Sequence, residues 1–356
     1  MPKYLSASSV LTTLLLTLGF SSLAKADNPI DSKPPKYTAA DGVWRLKAPD
    51  IPKDNQPTKA RVALGEKLFF DPRLSRQGNM SCATCHNPSL GWSDGLKTAV
   101  GHNGNVLRRA TPSIVNSAYS KILMWDGRHP SLESQAMGPM EAEEEMNSDF
   151  DTVFKFIKSS PEYVQMFEKA YPSEGVSKGS ISKALANFQR TVIVKNSPFD
   201  HWLAGDRDAI TMAEWRGFQL FKGKAECVAC HSAPNFSDDG FHNIGLKQWA
   251  EPQADLGRFN VRKVKVNQGA FKTTSLRGIA ETAPFFHDGS AATLMDVVEH
   301  YSRGGDVKTN LSPNLKTLDL TQTEKEDLVA FLKALSPKST AKKVPSLPTT
   351  QAFKAE

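Results

Sequence analysis

The chain holds four cysteines, and all four lie in two copies of one pentapeptide, Cys82-Ala83-Thr84-Cys85-His86 and Cys227-Val228-Ala229-Cys230-His231. Two thiols at this spacing on a short helical turn can each form a thioether with a haem vinyl group. The adjacent histidine then presents its imidazole to the iron. A single Cys-x-x-Cys also suits half of a zinc site or a redox motif beside a βαβ pattern. A zinc ribbon, however, puts its second pair about 15–20 residues after the first, whereas 141 residues separate Cys85 from Cys227. Zinc would not need the trailing histidine in either copy. The motifs therefore predict two covalently bound haem c groups, with His86 and His231 as iron ligands.

The text around the two motifs is similar. Leu64-Gly65-Glu66-Lys67-Leu68-Phe69-Phe70 leads into the first and Gly217-Phe218-Gln219-Leu220-Phe221-Lys222-Gly223 into the second. After each come a proline (Pro88, Pro234), a Ser-Asp pair (Ser93-Asp94, Ser237-Asp238) and a glycine (Gly95, Gly240). This weak internal repeat predicts two cytochrome-c-like haem domains from one helical module, over residues 61–200 and 201–336. Helical periodicity covers 180–194, where Ile181, Leu185, Phe188 and Val192 fall at three- and four-residue steps. Thr293 with Asp296, and Thr321 with Glu324, read as capping boxes opening helices over 293–301 and 321–335. In the former, Leu294, Val297, Val298 and Tyr301 share one face, and His300 and Met295 point away from it. A tyrosine in such a stripe usually serves as core. Strand signals are limited to short runs such as 259–266, so the fold expected is mainly α with few short strands.

The N-terminus reads as a secretory signal peptide over 1–26: Lys3, an apolar core from Val10 to Phe20, and Ala24-Lys25-Ala26 before Asp27. The apolar run falls short of the about 20 residues that a span needs, so no membrane span is expected after signal cleavage. Export suits c-type haem attachment and predicts a periplasmic protein. Residues 27–60, rich in Pro, Lys and Asp, read as an extended N-terminal arm. Residues 337–356 read as a disordered tail. The net charge of +6 falls to +4 once Lys3 and Lys25 leave with the leader. Basic residues are scattered, with mixed Arg and Lys at 258–265 and no aromatic-interleaved stripe. This argues against a nucleic-acid partner and supports a modest preference for acidic partners.

Several segments resemble the bacterial di-haem cytochrome c peroxidase superfamily: Asn79-Met80-Ser81-Cys82, Thr111-Pro112-Ser113, Trp125-Asp126-Gly127-Arg128, Ser131-Leu132-Glu133-Ser134-Gln135-Ala136 and Pro284-Phe285-Phe286-His287-Asp288-Gly289. They run in family order from about Leu64 to Gly305, and the likeness is nearest to the MauG-like branch. There the helix after Pro-x-x-His-Asp-Gly carries a tyrosine where ordinary peroxidases place a methionine ligand, so the resemblance implies that Tyr301 binds the second haem iron. A phenolate favours ferric and higher oxidation states, whereas a thioether favours reduced iron. The resemblance further implies that Trp125 relays electrons between the haems. Gln135, Pro139 and Glu145 would line the distal face of the His86 haem, with Glu145 as general base and acid. His102, in a glycine-rich loop, matches a removable distal histidine of some peroxidases. Thr282 and Pro284 match carbonyl donors of an inter-haem calcium ion, but Ala110 stands where an asparagine is expected.

The function expected is a MauG-like oxidoreductase. It would use hydrogen peroxide to form a high-valent di-haem state that oxidises a partner protein, as in tryptophan tryptophylquinone maturation of methylamine dehydrogenase. The alternative is a di-haem cytochrome c peroxidase that reduces peroxide with electrons from a small cytochrome or cupredoxin. A third reading is a di-haem electron carrier. Glu145 with Gln135 argues against the carrier, and Tyr301 against the plain peroxidase. Ala225 occupies the place of the branch's surface tryptophan, for which Trp215 or Trp249 could substitute.

Overall fold

A computed structural model describes residues 33–337 and 343–349, so the leader expected over 1–26 lies outside the described residues. Ten α-helices and one two-stranded ribbon make up the regular structure of those residues. The first haem motif is itself a single helical turn, α2 (Cys82–Cys85), preceded by α1 (Lys59–Phe70). Then follow α3 (Leu132–Glu141), α4 (Phe150–Ser159), α5 (Pro161–Ala170), α6 (Lys178–Gln189), α7 (Pro198–Leu203) and α8 (Met212–Lys222). Strands β1 (Phe241–His242) and β2 (Phe271–Lys272) pair antiparallel before α9 (Leu294–Ser302) and α10 (Gln322–Ala334). The mainly helical expectation holds. Both capping boxes form: Thr293 Oγ1 accepts from the Asp296 amide at 3.1 Å and Thr321 Oγ1 from that of Glu324 at 3.3 Å.

The repeat is built into two helix crossings. α1 packs on α6 through Gly65, and α8 packs on α10 through Gly217. A Cβ at Gly65 would stand 1.9 Å from the Ala184 carbonyl oxygen, and one at Gly217 2.0 Å from that of Asp327. Backbone therefore touches backbone at both crossings, and only glycine permits that approach. Each crossing centres a hydrophobic cluster. The first includes Leu64, Leu68, Phe69, Trp92, Leu185 and Phe188. The second holds Phe199, Trp202, Phe218, Phe221, Phe236 and Phe331, where edge-on ring pairs such as Phe221–Phe331 at 5.2 Å add about 0.5–1.5 kcal/mol each beyond burial.

Four sequence expectations change. The stretch read as an extended arm contributes Trp44 to the second cluster, buried and stacked on Phe236 at 4.6 Å. Its polar surroundings in sequence hid that role. Helix α6 stops at Gln189, because the Asn116 side chain accepts from the Val194 amide and holds the following backbone extended. The run 259–266 is not a strand: 3-10 turns Arg258–Asn260 and Lys265–Asn267 flank it, and the Arg262 amide bonds back to Arg258. Among the described residues no strand pairs with its valines at 261, 264 and 266. Finally, part of the tail expected to be disordered is seated on the first cluster. The carbonyls of Pro348 and Thr349 accept from Arg73 (2.9 Å) and Ser160 (3.0 Å).

Candidate haem sites

Each attachment motif ends in a histidine held the same way. His86 Nδ1 lies 3.1 Å from the Trp92 carbonyl, and His231 Nδ1 lies 2.9 Å from that of Phe236. A carbonyl only accepts, so Nδ1 carries the proton and the lone pair rests on Nε2, the tautomer a metal ligand needs. Burial pushes both imidazoles below the usual histidine range, which keeps them neutral. Burial also pushes the thiols of Cys82 and Cys227 up to about 12 and that of Cys85 to about 11. Zinc sites and redox motifs need a thiolate, which this environment disfavours. A thioether carries no charge, so the donor sets fit covalently attached haem at both motifs.

The second motif opens onto a cavity of about 240 Å³ lined by Cys227, Cys230, His231, Trp125 and Tyr301 among others. Tyr301 thus joins the second attachment site. Burial pushes its phenol well above the ordinary tyrosine range, and the nearby Cys230 and Cys227 add to this. Only a strong neighbouring cation would hold it as phenolate. His300 points away from that stripe, as expected, and is buried there, with Nε2 2.8 Å from the Ile244 carbonyl and Nδ1 3.3 Å from Asp306. These contacts pin the far side of α9, and Phe286 packs edge-on against both His300 and Tyr301.

Thr282 and Pro284 also line this cavity. At position 110 there is a methyl group instead of a side-chain oxygen, and the Ala110 carbonyl is taken by the Trp125 indole at 2.8 Å. Among the described residues the one gathered set of three His, Cys or carboxylate donors is Cys230, Asp238 and His242, not a group at Thr282. Calcium takes carbonyl and water oxygens as well as carboxylates, and of the donors expected here the side-chain oxygen at position 110 is missing.

At the first motif, α3 brings Gln135 and Pro139 to one face, since residues four apart share a side of a helix. Pro139 has no amide hydrogen, so the Gln135 carbonyl gets no helical partner there. The chain then folds back: the Met146 amide bonds to the Pro139 carbonyl at 3.0 Å and that of Glu145 to Ala142 at 3.1 Å. This turn half-buries Glu145. Burial raises its carboxyl, Arg128 opposes, and Glu144 raises it further, for a net upward shift. Burial raises Cys85, and the charges of Asp94 and Glu145 add to this. The His102 amide donates to the Glu145 carbonyl at 2.8 Å, so the His102 loop braces that turn.

A second register of the repeat went unseen in sequence. Leu123 bridges His129 around Trp125, as Phe285 bridges Ala291 around His287. Met124 and Phe286 both adopt positive φ, 72° and 70°. Ser131 caps α3 and Thr293 caps α9, and the spacing from Trp125 to Ser131 to Pro139 equals that from His287 to Thr293 to Tyr301. Pro139 and Tyr301 are therefore equivalent positions. So are Trp125 and His287, whose rings lie 6.3 Å apart. Arg109 was also missed; it pairs with both Asp126 and Asp255 at 2.7 Å and ties the Trp125 turn to the second half.

The family model for di-haem cytochrome c peroxidase matches residues 59–208. The chain is 47% identical over 298 residues to the methylamine utilization protein MauG of Methylorubrum extorquens, covering 83% of this chain and 84% of that protein. It is 36% identical over 355 residues to a cytochrome-c peroxidase of a Pseudomonas species, covering 92% of each. A solved MauG-like protein associated with microbial copper homeostasis superposes with a TM-score of 0.78 at 34% identity, over 83% of this chain and 94% of that one. Similarity at this level and length, on a helical frame that repeats its haem-attachment unit, leaves one assignment. The chain belongs to the di-haem cytochrome c peroxidase family, on its MauG-like branch, and is a haem-dependent peroxidase or oxidase with two c-type haems.

Proposed function

We propose that this protein uses hydrogen peroxide to oxidise a partner protein in the periplasm, with the two haem sites dividing the work. When bound, haem supplies the iron that reacts with peroxide and stores oxidising equivalents. The observation that carries the reading is Tyr301, on the wall of the cavity that also holds Cys227, Cys230 and His231. Its Oη, an anionic donor once deprotonated, and His231 Nε2 would hold the second haem iron, and such a donor would disfavour reduced iron. At the equivalent place near the first motif, Pro139 offers no donor atom, which would leave the distal side of that site open to peroxide. Glu145, as general base and acid, would take a proton at a carboxyl oxygen from peroxide entering that site and give it back. Gln135 sits on the same helix face and orients what enters. Trp125 carries electrons between the two sites: its neighbour Met124 accepts from Gln135 Nε2 at 3.8 Å, and its own ring lines the second cavity.

The substrate class is a protein with an oxidisable aromatic residue, as in methylamine dehydrogenase maturation. That reading is supported by the likeness to a methylamine utilization protein. One observation favours the alternative, a peroxidase fed by a small cytochrome or cupredoxin. Ala225 is buried against the second cavity, so no aromatic residue stands at the branch's surface position.

The test is Tyr301→Met in the holoprotein, followed by absorption and electron paramagnetic resonance spectroscopy. The variant should acquire an easily reduced second haem and donor-dependent peroxidase activity. An unchanged spectrum refutes the ligand role.

A further inference from the structure

We infer that the exposed loop 259–266 is the docking surface for the protein partner and receives an acidic face of it; this rests on the proposed function above. Between Gly257 and Gln268 the chain carries Arg258, Arg262, Lys263 and Lys265 and no carboxylate. Arg262, Lys263 and Lys265 are exposed, and Lys263 lies over the ring of Phe259 in its own loop at 4.9 Å. Two carboxylates bonded to the start of this segment are committed elsewhere: Asp255, which accepts from the Gly257 amide, pairs with Arg109 at 2.7 Å, and Asp126, whose carbonyl accepts from Arg258, pairs with Arg109 at 2.7 Å and Arg128 at 2.9 Å. The loop's positive charge is therefore left for solvent or a partner. Val261, Val264 and Val266 stand among these cations, 44%, 43% and 66% exposed. Apolar groups rimmed by uncompensated charge are the make-up of a recognition surface.

The loop is also wired to Trp125. Arg258 Nη1 donates to the carbonyls of Asp126 (2.9 Å) and Gly127 (2.6 Å), and its guanidinium covers the ring of Phe241 at 4.3 Å. At the other end the Lys272 amide donates to the Trp125 carbonyl at 2.8 Å. Both ends of the segment thus grip the turn that carries Trp125, so a protein seated on the loop stands one arginine from that turn. An anionic membrane is the competing occupant of a basic, valine-bearing loop. Phe259, the loop's one aromatic ring, is half-buried under Lys263, so three valines are left to insert, which is little, and the tie to Trp125 has no use for a lipid.

The experiment measures binding of plastocyanin, a small acidic cupredoxin, to the holoprotein by titration calorimetry at low and high ionic strength. The loop variant is Arg262→Glu/Lys263→Glu/Lys265→Glu. The control makes the same charge change on exposed residues of α4 and α5, Lys155→Glu/Lys158→Glu/Lys169→Glu. The wild type should bind at low salt and release at high salt. The loop variant should bind about ten-fold or more weakly, and the control within about three-fold of wild type. The inference is overturned if the wild type does not bind, if the loop variant binds as the wild type does, or if the control weakens equally. It is also overturned if phosphatidylglycerol vesicles sediment the wild type but not the loop variant while plastocyanin discriminates neither. Peroxide turnover with a small-molecule reductant is measured separately. Its absence in the wild type sinks the proposed function and leaves the binding result to judge the loop.

Discussion

Glu145→Gln isolates one proton-transfer group without changing shape. The amide keeps the volume of the carboxyl inside the turn formed by Ala142, Glu145 and Met146 but cannot take up a proton. General acid–base groups contribute about 10²- to 10⁴-fold, equivalent to about 3–5 kcal/mol of barrier. Burial brings the glutamate's proton affinity nearer to neutral pH than an exposed carboxyl's, which suits it to that role. The assay is the second-order rate of the ferric holoprotein with hydrogen peroxide, followed by stopped flow against pH. The ionised form is the base, so the wild-type rate should rise with pH through the elevated Glu145 pKa and then level off. Glu145→Gln should be slower by at least about 10²-fold, and that rising limb should vanish. Glu144→Gln gives a sharper check. Glu144 is exposed and its charge raises Glu145, so removing it should move the limb to lower pH and leave the plateau in place. A Glu145→Gln rate within three-fold of wild type, with the limb intact, would refute the assignment.

Gly217→Ala should lower stability by up to about 2 kcal/mol. A helix-interior alanine gains up to about 1 kcal/mol over glycine, but its Cβ would meet the Asp327 carbonyl oxygen at 2.0 Å, and overpacking on rigid backbone costs about 1–3 kcal/mol and occasionally more. Gly42→Ala, where nothing lies within 4 Å of the added carbon, serves as the control in the same thermal melts. Asp126 tests the acid limb of stability. Burial raises its carboxyl, but Arg109 and Arg128 more than offset this and hold it below the usual range. A depressed pKa gives stability that is present above the unfolded value, about 3.9, and is lost as pH falls through the folded one. Asp126→Asn should therefore cost about 2–3 kcal/mol at pH 7, allowing for the half-exposed Arg128. It should also flatten the denaturation midpoint below pH 4; an equally steep acid limb in the variant would contradict the reasoning.

What could be read from sequence divides along physical lines. Cys-x-x-Cys-His is a local motif whose chemistry is set by spacing, and the helix starts at Thr293 and Thr321 are local capping events. Both were legible for that reason. Trp44 was not, because its burial depends on Phe236, far away in the chain. The strand reading of 259–266 failed since a valine-rich run marks a strand only where a neighbour completes the ladder. The equivalence of Pro139 with Tyr301 lay open in the spacing of Trp125-Asp-Gly and His287-Asp-Gly from their capping residues. It was masked because the side chains at matched positions diverge almost completely. Glu145 could be singled out only through resemblance, its local text being an acidic run. Its half-burial comes from backbone bonds to Pro139 and Ala142 that no pattern in 141–145 announces.

That divergence at matched positions explains how one module can serve two purposes. The backbone plan is kept: a glycine helix crossing, a histidine anchored through Nδ1 to a carbonyl, a positive-φ turn, and a capped helix leading to the position over the haem motif. Under that plan only a few side chains need change to alter the chemistry. Tyrosine at 301 offers an oxygen donor and proline at 139 offers nothing. A valine, Val297, stands where the first module has Gln135. The turn residues Trp125 and His287 meet across the pseudo-symmetric interface, and His287 is stacked at 3.5 Å on Phe271, buried, and pushed down to about 4 mainly by that burial. It is thus neutral at physiological pH and places no charge beside the indole. A positive charge there would make removal of an electron from Trp125 harder. A neutral ring keeps the indole oxidisable in the proposed scheme, and it lets the Arg109–Asp126 and Arg109–Asp255 pairs hold the turn while their charges largely cancel.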